Sequence, residues 1–201
     1  MKALVLLLVL AGVAEAAPQG AEKFTHIATF SLADLPTFDA LAKTFGPSAV
    51  IESGDASEYD ARVCYKSLDN SMVVAFFHGE VHWGFTLRTP GPDDARCPAS
   101  AELTANVANI AGVTLGMKRK DYERLVGRPS RVDAQHVEHD FQYVHVLSDE
   151  QLGEQTDRAR KNGYKNVNPE DYRRWDVIIS LDAAFKNERL ASFTVTRVET
   201  N

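Results

Sequence analysis

The sequence lacks the short signatures that announce catalysis. It contains no Gly-x-Ser-x-Gly, no His-Glu-x-x-His and no glycine loop of the kind that cradles phosphate. Its two cysteines, Cys64 and Cys97, stand 33 positions apart rather than as Cys-x-x-Cys, which excludes a redox pair by spacing. No run of Lys and Arg longer than Lys118-Arg119-Lys120 interrupts a chain whose formal net charge is −6, so nucleic acid and anionic membrane surfaces are poor partners for it. The leading apolar run of about eleven residues is too short to span a bilayer, which takes roughly 20, and no later stretch is apolar enough. These absences argue against an enzyme, a bound cofactor and a membrane-spanning protein.

The first residues have the pattern of a secretory signal peptide. Lys2 provides a positive start and Ala3 to Val13 an apolar stretch, and Ala14-Glu15-Ala16 sets small residues at the two positions a signal peptidase reads. Residues 1–16 are therefore expected to be removed before Ala17. With no cysteine near that point, a lipid anchor is not expected, and the mature chain is predicted to be exported to the periplasm or secreted. In such a compartment disulfides persist, so Cys64 and Cys97 are predicted to pair. The closed loop of about 33 residues corresponds to roughly 3 to 4 kcal/mol in the chain-entropy model.

Internal echoes organise the rest. Phe45-Gly46-Pro47-Ser48-Ala49-Val50 returns as Val126-Gly127-Arg128-Pro129-Ser130-Arg131-Val132, and Glu58-Tyr59-Asp60-Ala61-Arg62-Val63 returns as Glu138-His139-Asp140-Phe141-Gln142-Tyr143. Phe77-His78-Gly79-Glu80 with Phe85-Thr86-Leu87 returns as Phe185-Lys186-Asn187-Glu188 with Phe193-Thr194-Val195. Three echoes in one order predict an α+β fold of two tandem helix-plus-antiparallel-sheet repeats, at residues 17–99 and 100–201.

Local patterns fill in each unit. Phe38, Leu41, Ala42 and Phe45 make one helical stripe that Asp34 or Thr37 can cap, and Tyr122, Leu125 and Val126 make another. Gly46 and Gly127 stand where a helix takes a left-handed residue to stop, each followed shortly by proline. Strands are predicted at 62–67 and 141–147, followed by hairpins at 72–88 and 177–195. The three-residue turns His78-Gly79-Glu80 and Lys186-Asn187-Glu188 would align the apolar faces. An insert at about 148–174, between the first strand and the hairpin of the second unit, replaces the short turn of the first, with a helical pattern over Asp149 to Lys161 and a start signal at Asn168-Pro169. Tyr164, Tyr172, Arg173, Arg174 and Trp175 in or beside it are the residue types of an interface hot spot, and are the candidate partner-binding residues. They equally suit an insert folded back onto the sheet.

The segment Gly116-Met117-Lys118-Arg119-Lys120-Asp121-Tyr122-Glu123-Arg124-Leu125-Val126-Gly127-Arg128-Pro129 resembles the signature of the SmpA/OmlA (BamE-like) envelope family. There Gly-Met precedes a short helix with an apolar pair and then Gly-x-Pro. Lys118 stands where that family places Ser or Thr. Tandem helix-plus-sheet copies in an exported chain also resemble the β-lactamase inhibitor protein fold. The resemblance implies a non-enzymatic protein that binds a protein partner or has a structural role in the cell envelope, or else an inhibitor of an exported hydrolase.

Histidines offer the one route to a metal site. His78 and His82 flank a turn, and His136, His139 and His145 lie among Glu138 and Asp140. On one strand His139 and His145 would be about 20 Å apart at 3.3 Å per residue, too far for one ion. A metal-binding protein or an enzyme would need His78/His82 or His136/His139 to converge with carboxylates.

Overall fold

Alternation of buried and less buried residues along the long strands builds this molecule. The computed structural model describes residues 19–34, 36–54, 59–79, 82–161 and 163–200. The expected signal peptide at 1–16, Glu80 of the predicted turn and Val81 after it lie outside them.

Two small strands, β1 (His26–Ile27) and β2 (Phe30–Ser31), pair near the start. The main sheet has nine strands: β3 (Ile51–Ser53), β4 (Asp60–Ser67), β5 (Val73–Gly79), β6 (His82–Arg88), β7 (Ala99–Ser100), β8 (Arg131–Val132), β9 (His136–Val146), β10 (Arg174–Lys186) and β11 (Arg189–Thr200). They run in the order β3-β4-β5-β6-β11-β10-β9-β8, with β7 adding a short parallel pair to β4. Four α-helices are found among the described residues: α1 (Gln19–Glu22), α2 (Phe38–Phe45), α3 (Arg119–Val126) and α4 (Asp149–Lys161).

This corrects the expectation of an α+β fold in two tandem helix-plus-antiparallel-sheet repeats. The two predicted sheets are one, because β6 and β11 pair antiparallel over seven residues from Arg88↔Ser192 to His82↔Val198. Two separate small sheets would each expose an edge of unpaired backbone groups, and joining them satisfies both. The helices are too short to form a layer. The sheet is instead covered by α2, α3, the short 3₁₀ and strand segments that carry Phe24, Ile27 and Leu32, and the irregular stretch that carries Leu103, Ile110 and Val113, all buried in one continuous core. Those stretches have no period for a sequence pattern to reveal.

Within the core, Phe45 of α2 stacks at 5.2 Å from Tyr65 and 5.7 Å from Phe76. Tyr122 of α3 sits 5.6 Å from Phe185 and 6.1 Å from Phe193. Thr37 caps α2 by accepting from the Ala40 N–H, whereas Lys118 places no side-chain cap on α3. Gly46 and Gly127 end these helices at φ 99° and 106°, which a side chain would strain.

The second hairpin also departs from its predicted turn. Asn187 and Glu188 alone form the loop, both at positive φ, the backbone of a type I′ turn. A register shift between Ala184 and Phe185 skips Ala191, and this bulge restores the facing parity that a three-residue loop was expected to provide.

Gly84 shows how tightly the sheet is built. It lies directly opposite Phe77, whose ring covers it, and a Cβ there would stand 2.7 Å from the Val195 carbonyl oxygen. Gly84→Ala is therefore expected to cost about 1–3 kcal/mol through overpacking. A denaturant melt checks this, and an unchanged midpoint would show that the Phe77 ring and the β11 backbone yield freely.

Candidate functional site

Period two divides the sheet into a covered face and an open one. Val63 and Tyr65, Val74 and Phe76, Phe85 and Leu87, Phe193 and Val195, Val177, Ile179 and Leu181, and Val137 point into the core and are buried. The intervening residues form rows across the other face. One row runs Arg62–Phe77–Gly84–Thr196–Ser180–Asp140, and the next Cys64–Ala75–Thr86–Thr194–Asp182–Glu138. On β9, β10 and β11 not one open-face side chain is buried.

One end of this face is closed by its own chain. Cys64 is bonded to Cys97, as the sequence predicts, and the 3₁₀ turn Pro92–Arg96 lies there. Asp94 is buried, pairs with the Arg88 guanidinium and accepts the Gly91 N–H at 2.7 Å. The Arg88 hydrogen bond holds the Asp94 carboxyl below its ordinary range.

The rest is open and falls into three zones. Phe77 and His82 form an aromatic shelf, 6.0 Å between ring centroids, over Gly84 and Gly79. Thr86 and Thr194 share a hydrogen bond of 3.0 Å in the middle. Beyond them Glu138, Asp140, Ser180, Leu181, Asp182, Thr194 and Thr196 line a shallow depression of about 240 Å³. Asp182 and Glu138 face each other directly across β10 and β9. Each acid has one or two local partners: Asp140 accepts from Ser130 Oγ (2.9 Å) and Ser180 Oγ (2.7 Å), Asp182 meets His136 Nδ1 at 3.1 Å, and Glu138 lies 3.7 Å from Arg131.

The histidine pairs do not converge. His78 faces the core, 4.3 Å from the Trp83 ring centroid, while His82 lies on the open face. His136 is on the open face, and His139 is buried between the Tyr122 hydroxyl (3.4 Å) and the Gly127 carbonyl (3.2 Å). An odd separation on one strand puts two residues on opposite faces, and the strand runs from His136 where a turn had been the condition for contact. Among the described residues no group of three or more His, Cys, Asp or Glu side chains is placed to hold a metal ion.

The insert residues separate into two sets. Arg173 is held by Glu170 and Asp149, and Trp175 is half-buried with Nε1 donating to the Tyr172 carbonyl at 2.9 Å. These three knit the base of the insert, where α4 packs on the Pro169–Tyr172 turn. Tyr164 and Arg174 remain exposed. Sequence reasoning missed the acidic end of the open face, although Ser180 and Asp182 on β10 alternate with Ile179, Leu181 and Ala183.

No protein-family model, characterised protein or solved structure matches the chain.

His136 and His139 on β9 should have pKa values displaced in opposite directions. The Asp182 hydrogen bond raises the His136 pKa above its ordinary value, and burial lowers that of His139. A raised folded pKa contributes stability below the unfolded value near 6.5, lost as pH rises through the folded one. For His139 the sign reverses: its contribution is present above about 6.5 and is lost as pH falls through its lowered pKa. Imidazole NMR titration should separate the two, and Asp182→Asn should return His136 alone towards the ordinary value. Coincident titrations would contradict both environments.

Proposed function

We propose that this chain is an exported, non-catalytic protein of the cell envelope that binds a protein partner through the open face of its sheet. One observation carries the reading. Glu138 and Asp182 stand directly opposite each other on neighbouring strands of that face, an arrangement that costs stability when the charges are alike. A sheet selected only to fold would place opposite or neutral residues there. With the Phe77–His82 shelf on the same face beyond the Thr86–Thr194 pair, the carboxylates favour a partner surface that presents Lys or Arg at one side of an apolar patch.

Other features support the reading. The Cys64–Cys97 disulfide suits an oxidising compartment, and no helix among the described residues is long and apolar enough to cross a membrane. The signal-peptide pattern of residues 1–16 and the resemblance of residues 116–129 to the SmpA/OmlA envelope family point the same way. Inhibition of an exported hydrolase is one version of this proposal, since such an inhibitor would also act through an uncovered sheet face carrying aromatic and charged residues.

The test divides stability from binding. Glu138→Gln with Asp182→Asn should leave the melting midpoint unchanged to within the equivalent of about 1 kcal/mol. Recovery of the partner from an envelope extract should fall about tenfold or more, since close interfacial charge pairs are worth about 1.5 kcal/mol upward. Deletion of residues 149–172 serves as the comparison. If that deletion abolishes recovery and the double variant retains it, the insert and not the open face is the binding element.

A further inference from the structure

Among the described residues the sheet has one unguarded edge. On one flank β3 and β7 cover β4. On the other, β8 pairs with β9 only at Val137 and Glu138, leaving the longer part of β9 without a neighbour among the described residues. The carbonyls of His136 and Glu138 accept from Asp133 and Ser130 on the outer side, and Leu147 donates inward to Arg173. The even-numbered residues of β9 therefore direct their backbone groups outward, so Gln142, Val144 and Val146 present unused N–H and C=O groups in a row.

Natural edges are blunted by charge, proline or bulges. Phe141-Gln142-Tyr143-Val144-His145-Val146-Leu147 contains no Asp, Glu, Lys, Arg, Pro or Gly. It is rich in strand-forming residues, and Val144 and Val146 are 43% and 58% exposed on the open face. The segment ends where the Ser148 N–H is taken by Gln151 Oε1, so the free stretch runs from Asp140 to Leu147, with its midpoint between Tyr143 and Val144.

The geometry points to a second copy of this chain as the occupant of that edge. A two-fold axis through Val144 superposes the two free stretches end to end in antiparallel register. Val144 then faces its symmetry mate and Gln142 faces Val146 of the other copy, with two backbone bonds for each facing pair. On the open face the valines form one apolar strip across the axis, and on the other Tyr143 meets His145. Asp140 falls opposite Ser148, so no carboxylate faces a carboxylate despite the net charge of −6. The alternative axis through Tyr143 would set Val146 against Asp140 and loses that match. The interface is isologous and closes as a dimer with one continuous sheet.

Sedimentation of the exported, oxidised protein should give twice the monomer mass. Val144→Lys, which sets two ammonium groups face to face, should return it to monomer with unchanged circular dichroism. Val144→Cys provides a second arm, because facing residues of a bonded pair lie about 5.5 Å apart at Cα, within disulfide range. It should form a covalent dimer on non-reducing gels, while Val132→Cys, exposed on β8, should not. Gln142→Cys and Val146→Cys should cross-link when mixed and not singly. A wild-type protein that stays monomeric at the highest soluble concentration overturns the proposal, and so does a dimer in which Val144→Cys fails to cross-link.

Discussion

The pairing of β6 with β11 is the constraint on which the rest of the structure depends. It joins strands more than a hundred residues apart in sequence, and its register decides which residues share a row. Thr86 meets Thr194 and Gly84 meets Thr196 only in this alignment, and the aromatic shelf on β5 and β6 reaches the carboxylates on β9 and β10 only through it. A slip of one residue would turn Phe193 and Val195 to solvent and Thr194 and Thr196 into the core. Burial of each such apolar side chain is worth about 1.5–3 kcal/mol, so the register is strongly fixed. The open face is thus defined by what the core demands on the other side.

Local features of the fold were legible in the sequence because each has a local cause. Thr37 caps α2, Asn168 accepts from Glu170 at the start of a 3₁₀ turn led by Pro169, and α4 spans Asp149–Lys161. Cys64 and Cys97 pair. Union of the strands into one sheet was not legible, because nothing within β6 or β11 states that the two are partners. Alternation specifies a strand's faces and leaves its neighbours open. Reading two self-contained units placed an edge where the structure has a seam. The same blindness hid the irregular cover over the core, where Leu103, Ile110 and Val113 are buried without forming a helix or a regular strand.

The candidate site was legible only in part, for a related reason. Tyr172, Arg173 and Trp175 have the composition of a binding surface, yet Arg173 is committed to Glu170 and Asp149 and Trp175 to the Tyr172 carbonyl. Composition identifies what a side chain can do, and only the fold shows whether its neighbours have already claimed it. The histidines teach the same lesson from burial. His139 is satisfied inside the core by Tyr122 and Gly127, whereas His136, three residues earlier, faces out towards Asp182.

The carboxylates of the open face make the distinction sharpest. Asp94 is enclosed, paired with Arg88 and bonded to the Gly91 amide, so its charge is spent in holding the Pro92–Arg96 turn on the sheet. Removing either partner of such a buried pair would leave an uncompensated charge, which is why it is read as structural. Glu138 and Asp182 are on the same face of the same sheet in the opposite condition. Each has a single partner, Arg131 and His136 respectively, both partly solvated, and each faces the other's like charge. Exposed pairs of that kind contribute little to stability, so folding alone gives no reason for two acids to be opposed there. They line a depression with the hydroxyls of Ser180, Thr194 and Thr196, open to solvent. A charge consumed by its neighbours serves the fold, and a charge left open at some cost to the fold is one available to something outside it.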